Sequence, residues 1–315
     1  MEWYDKVAPK FVQNVALGYF QEYVFDPFRV FPLVPVGQNS GYIAKYSKED
    51  WVRIGSPDDY IRMGATESAG DNYEVDKQPY VLYPRSFHDD VTESDVEDYD
   101  NPYDPVKDAT LFVINRLELV FAQMFVDQFM TTGVWGTDLT GGVDFTKWSD
   151  TNSDPVSDVL TWKGDVKGVT GFEPNRMAIS NDVYVALRSN SSVRSQLKVT
   201  DDKVITSGAL KRLMDLEEII VIDAVKTTAK KGQSATSSNT GFLTTGAALL
   251  VFAPTKPSKR IPSAGYHLVK KGKKGLVTKP IPMPHLNNAL RIEGTLYGQG
   301  IKLAADLGIY AGTVI

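Results

Sequence analysis

The chain has 315 residues, 42% hydrophobic and 23% charged, a balance that supplies a sizeable core and excludes wholesale disorder. It has no cysteine, which excludes disulfides, thiolate metal sites and a cysteine nucleophile. The formal charge of −5 is spread unevenly, with acids and no base from Asp89 to Asp104, and bases and no acid from Ala224 to Ile292. Such polarity suits head-to-tail contact between copies or contact with a polyanion, and equally suits two solvated faces.

The start, "MEWYDKVAPKFVQNVALGYF", lacks a basic segment followed by an apolar run, so no signal peptide is expected. Residues 1 to about 36 mix aromatics with Pro9, Pro27, Pro32 and Pro35, a spacing that forbids a long helix and reads as an extended arm lying against its own domain or a neighbour's. "GYIAKY" and "YEVDKQPYVLYPRSF" read as strands of a hairpin. The long excursion between them carries Trp51, Ile54, Tyr60, Ile61 and Met63 among Gly, Ser and Asp, and reads as a contact device.

"YDPVKDATLFVINRLELVFAQMFVDQFMTTG" then predicts one long helix, capped by Asp104, opened by Pro105 and stopped by Gly133. At about 1.5 Å per residue it spans on the order of 40 Å. Val106, Val113, Ile114, Leu117, Val120, Phe121, Met124 and Phe125 share one face; Phe112, Leu119, Val126 and Met130 lie on the reverse, so both sides are expected to be covered. Arg116 and Glu118 interrupt its centre and argue against a membrane span.

A second helix is expected in "DPVSDVLTWKGDVKGVTG", again opening Asp-Pro and closing on Gly. "NRMAIS" (strand), "NDVYVALRSN" (helix), "SVRSQL" (a short helix), "SGALKRLMDL" (helix), "EEIIVIDAV" and "ALLVFAP" (strands) follow, an alternation that places helices on a sheet. The last 30 residues read as glycine-punctuated strand, and no internal repeat or flexible linker is visible.

Chemistry is sparse. "KKGKKG" lacks the Lys-Ser/Thr pair and helix of a phosphate loop and reads as a turn between strands. His88, His267 and His285 are far apart and fit surface or packing roles better than a zinc site. There is no Gly-x-Ser-x-Gly elbow, and the acidic run lacks the glycine spacing of a calcium loop. The basic third has no helix-turn-helix, finger or stacking motif, so any contact with nucleic acid would be non-specific. An isopeptide bond from Lys45 or Lys48 to Asn287 or Asn288 of another copy is conceivable, without any sign of catalytic surroundings.

"DPVKDATLFVINRLELVFAQMF", "TGFEPNRMAIS", "NDVYVALRSN" with "VRSQLK", "IIVIDAVKTTAKKG" and "PSAGYHLV" occur in an order and spacing that resemble the major capsid proteins of tailed bacteriophages. The resemblance covers nearly the whole chain, most specifically residues 104–265. It implies an α+β protein with the Hong Kong 97-like capsid fold. In that mapping residues 1–36 are an N-terminal arm, 37–99 an extended loop over a neighbouring subunit, and 100–153 the spine helix and peripheral domain. Residues 154–284 are then the axial domain and 285–315 the return strand of the peripheral domain.

The resemblance implies a structural protein, not an enzyme, with no cofactor. Hexamers and pentamers of the chain would form an icosahedral virion shell around double-stranded DNA, assembled in the host bacterial cytoplasm with no membrane. It also implies a portal and admits decoration proteins. Scaffolding is expected from a separate protein or from a segment beyond this sequence. Expected inter-subunit contacts are Trp51, Arg53, Tyr60 and Arg62 in the loop and Lys270, Lys271, Lys273 and Lys274, whose charge would complement the acidic region on another copy. An encapsulin-like compartment holding cargo enzymes shares the architecture, and a soluble α/β hydrolase is the residual reading.

Overall fold

The computed structural model describes residues 25–46, 48, 54–62, 67–68, 70, 72, 74–94, 104–197, 205–230, 236, 238–258, 261–271 and 276–315. They fall into two compact units, residues 38–81 and the remainder. The larger unit begins with a 3-10 turn, Pro27–Arg29, capped by Asp26 through the Phe28 amide, and strand β1 (Leu33–Val36). The smaller unit is an antiparallel hairpin of β2 (Ser40–Tyr46) and β3 (Val75–Val81), with a 3-10 turn, Pro57–Tyr60, in the excursion between them. The run "YEVDKQPYVLYPRSF", expected to contain a strand of the hairpin, supplies β3 and is divided around Pro84. Proline lacks a ladder donor, and the chain after it starts β4 (Arg85–Val91) in the larger unit.

The long helix, α1, is Pro105–Phe129. Asp104 Oδ1 accepts from the Val106 and Lys107 amides at 3.1 and 3.2 Å, satisfying two of the donors that a helix start leaves open. The helix closes before Gly133 because tertiary bonds take over: Trp135 Nε1 donates to the Phe129 carbonyl (2.7 Å), and the Gly133 amide donates to Asp138 (2.6 Å). Gly133 has φ +82, and its left-handed turn leads the chain into β5 (Thr137–Thr140).

By length and composition α1 could cross a bilayer, but more than half of its most apolar stretch is buried inside this protein. The expectation of cover on both sides holds for its C-terminal half, where Val126 and Met130 are buried, and fails for its N-terminal half. There Phe112 is exposed, because among the described residues the sheet carrying β4 packs on one side of the helix only.

Helices α2 (Pro155–Thr170), α3 (Asn181–Ser189), α4 (Ser191–Gln196) and α5 (Ser207–Leu213) follow, each where the sequence places one. Asp154 caps α2, and Gly171, at φ +76, ends it. Asn190 ends α3 and starts α4, accepting from the Ser192 and Val193 amides while its own amide donates to Trp148 O and Ser153 Oγ.

The central sheet joins β5 to β15 (Gly308–Gly312), β10 (Ala248–Val251), β6 (Arg176–Ser180) and β7 (Glu218–Ile222), in that order. Alternation along its strands divides the interior. Met177, Ile179, Ile219, Leu250 and Ile309 face a core with α2 to α5 and the stacked Trp148–Trp162 pair (5.7 Å). Ala178, Ile220, Leu249 and Val251 face a second core with Phe31, Phe125, Phe129 and Trp135.

A short pair, β8 (Val225–Thr227) with β9 (Thr240–Phe242), leaves this region. β11 (Gly265–Lys270), β12 (Leu276–Met283), β13 (Ala289–Leu296) and β14 (Gly298–Lys302) complete two further sheets, β1-β11-β14 and β12-β13-β4, and α1 packs on both.

Candidate inter-subunit surfaces

Among its described residues the smaller unit presents exposed apolar and aromatic side chains. Tyr42 is 70% exposed, Ile54 85%, Tyr60 59% and Ile61 58%. Tyr60 sits at the end of the 3-10 turn, where its hydroxyl accepts from the Gly55 amide at 3.4 Å, and Arg62 follows it, also exposed. Exposed apolar side chains in this number on so small a unit are the composition expected of a contact surface. Trp51 and Arg53, expected beside them, lie outside the described residues.

Lys270 ends β11 opposite Val36, and the Lys271 amide donates to the Val36 carbonyl at 2.8 Å. The backbone is therefore held while the Lys271 side chain stays exposed. Lys273 and Lys274 lie outside the described residues. Tyr60 and Arg62 thus belong to one unit, and Lys270 and Lys271 to the other.

The described part of the acidic run is largely committed within the chain. Asp104 caps α1, and Asp90 on β4 receives a two-pronged bond from Arg291 on β13, both contacts at 2.7 Å. This pairing holds the Asp90 carboxyl below the usual carboxylate range. Glu93 accepts from the Asn288 amide at 3.4 Å. Charge complementarity between the acidic and basic regions, expected between copies, therefore exists inside the chain at Asp90 and Arg291. The strand order brings them together, and sequence distance had hidden it. Asp95, Glu97, Asp98 and Asp100 lie outside the described residues.

A feature that sequence reasoning missed is the clamp on residues 25–31. Arg176, buried on β6, donates Nη1 to the carbonyls of Arg29 (2.7 Å) and Val30 (3.2 Å), and Arg29 pairs with Glu218 on β7. Phe28 and Phe31 enter an aromatic group with Phe121, Phe125, Phe129 and the His267 ring. His267 is fully buried, and burial pushes its pKa down to about 3. The Pro27 carbonyl faces it short of hydrogen-bond geometry and offsets burial only in part. The Phe-rich spelling of residues 25–31 was the available signal. Its partner residues, up to 240 positions away, were not.

His88 lies on β4 and His285 in the turn after β12, and among the described residues no group of three or more His, Asp or Glu is placed to hold a metal ion.

The model of the family described as phage major capsid protein E matches residues 137–261, from β5 to the approach to β11. The major capsid protein of Burkholderia phage BcepMu is 23% identical over 224 residues, 70% of each chain. A crystal structure of a phage-related protein from Bordetella bronchiseptica RB50 superposes with a TM-score of 0.72 at 20% identity, over 98% of both chains. The capsid of cyanophage P-SCSP1u gives 0.57 at 12% identity over 93% of this chain and 89% of that one. An encapsulin complex from Synechococcus elongatus gives 0.53 at 12%, over 98% and 96%.

Proposed function

We infer that this chain, a phage major capsid protein with the Hong Kong 97-like fold, forms its shell from hexamers and pentamers that enclose double-stranded DNA in the virion. The observation that carries this reading is the kinship of the central sheet region, residues 137–261, with phage capsid proteins. Its work is geometric and needs no catalytic group. Residues 1–36 act as an arm, 37–99 as an extended loop and 100–153 as spine and peripheral domain. Residues 154–284 act as the axial domain at the capsomer centre, and 285–315 return to the periphery. Trp51, Arg53, Tyr60 and Arg62 meet a neighbouring copy, as do Lys270, Lys271, Lys273 and Lys274. A separate scaffolding protein and a portal assist assembly in the host cytoplasm. The DNA is enclosed without sequence reading, since the basic third carries no helix-turn-helix, finger or stacking motif.

An encapsulin-like compartment has the same fold, and its likeness to this chain is one of fold. The matched family model and the curated relative are viral, which favours the virion. Cryo electron microscopy of the purified protein, with nuclease-protected nucleic acid assayed alongside, separates the readings. Closed shells or free hexamers and pentamers are expected, with genome-length protected DNA in particles from infected cells. Shells holding a protein cargo and no DNA would favour the compartment, and a monomer that never assembles, even with a candidate scaffold, would refute both.

A further inference from the structure

Glu118 lies on the buried face of α1, 9% exposed, and its Oε2 has no hydrogen-bond partner among the described residues. It lines a small, partly open cavity with Phe25, Asp26, Pro27, Phe121, Leu276 of β12 and Leu296 of β13. A carboxylate without a partner in such surroundings is costly, and a carboxylic acid is tolerated. The cavity therefore places one carboxyl group on each side of the seam between residues 25–31 and the spine helix: Asp26 on the segment and Glu118 on the helix.

Other charged groups near the seam are already engaged. Arg29 pairs with Glu218, Arg176 holds the segment's carbonyls, and the His267 ring sits neutral among the phenylalanines. Burial, with the Asp26 carboxylate adding to it, pushes Glu118 up to about 7, and burial also raises Asp26 against the pull of the Phe28 amide and Arg29.

We propose that this seam is a proton-operated latch. With Glu118 protonated, residues 25–31 stay seated on α1; with Glu118 ionised beside Asp26, the segment opens more readily. The segment is the moving part, because β1 beyond it is fixed in the backbone ladder with β11, while the segment is seated by side chains alone: the bonds of Arg176 and Arg29 and the burial of Phe25, Val30 and Phe31. The sign follows from linkage. A carboxyl whose pKa is higher when seated than when released binds its proton more tightly in the seated state, so seating is strongest at low pH and weakens as pH rises towards and through about 7. The latch goes beyond the shell reading and does not depend on it, since it is a property of one folded copy.

The test is hydrogen–deuterium exchange of the full chain, read at residues 25–31 and compared at each pH with Glu118→Gln, which cannot ionise. For a group moving from 4.5 on release to about 7 when seated, the wild-type to variant exchange ratio is expected to grow roughly 30-fold between pH 5.5 and 8.5. Asp26→Asn keeps an acceptor for the Phe28 amide and should shrink that growth. A ratio that does not change with pH overturns the latch. If the glutamine variant does not fold, the wild-type profile decides: protection that fails to fall towards pH 8.5, after correction for intrinsic exchange, overturns it as well.

Discussion

His267 shows how one side chain can be compatible with the fold in one charge state only. Its ring packs among Phe28, Phe31, Phe121, Phe125 and Phe129, at centroid separations from 5.3 to 6.3 Å. An imidazolium there would have neither water nor a counter-ion. The folded pKa, about 3, is below the ordinary 6.5, so stability is full above 6.5 and is lost as pH falls from there towards 3. His267→Phe should remove that loss. Between pH 7.5 and 4.5, urea denaturation of wild type should show an extra loss of about 3 kcal/mol relative to the variant; parallel losses would refute the assignment. From sequence this histidine could be assigned to a surface or packing role rather than to metal, because no second ligand stood near it. Which residues cage it was hidden, since β11 meets the arm and α1 only through the fold.

At the level of elements, α1 lies so close to its sheets that two strand positions admit no side chain. A Cβ on Gly300 of β14 would stand 2.4 Å from the Phe129 ring, and one on Gly294 of β13 would stand 2.6 Å from Val113. Gly300→Ala should therefore cost about 1–3 kcal/mol by overpacking, measured as a lower denaturation midpoint. Gly37→Ala, where nothing lies within reach, is the control and should be near neutral. The helices were the legible part of this fold. Asp104-Pro105 and Asp154-Pro155 write their starts, and Gly171 writes a stop, because caps are local chemistry. Strand pairing was not legible: β1 with β11 and β4 with β13 join residues some 200 positions apart, and no local pattern encodes such a partner.

At the level of the whole molecule, the candidate contacts divide by how they are held. Tyr60 and Arg62 sit on the small hairpin unit, whereas Lys270 and Lys271 project from a strand end fixed to Val36. Their exposure could be anticipated from composition, but that Asp90 is already taken by Arg291 could not. Reversing charge at Lys270, Lys271, Lys273 and Lys274 together should impair shell formation while leaving the subunit folded, as judged by electron microscopy and circular dichroism. Unchanged shells would remove these lysines from the interface. Because surface attraction is screened, the defect of a milder Lys271→Glu variant should deepen at low salt and fade at high salt.

The place of β15 has a consequence in time. This strand, residues 308–312, slots between β5 and β10, and it is the strand that β5 pairs with. While a ribosome is still extending the chain, β5 lacks the ladder partner it has among the described residues and β10 shows an open edge, although every α-helix described has already been made. The central sheet, and the cores on both its faces, can close only when synthesis reaches the last of these strands. Until then the open edge of β10 is a template for mispairing between nascent chains crowded on one message, and β15 is the strand that covers it.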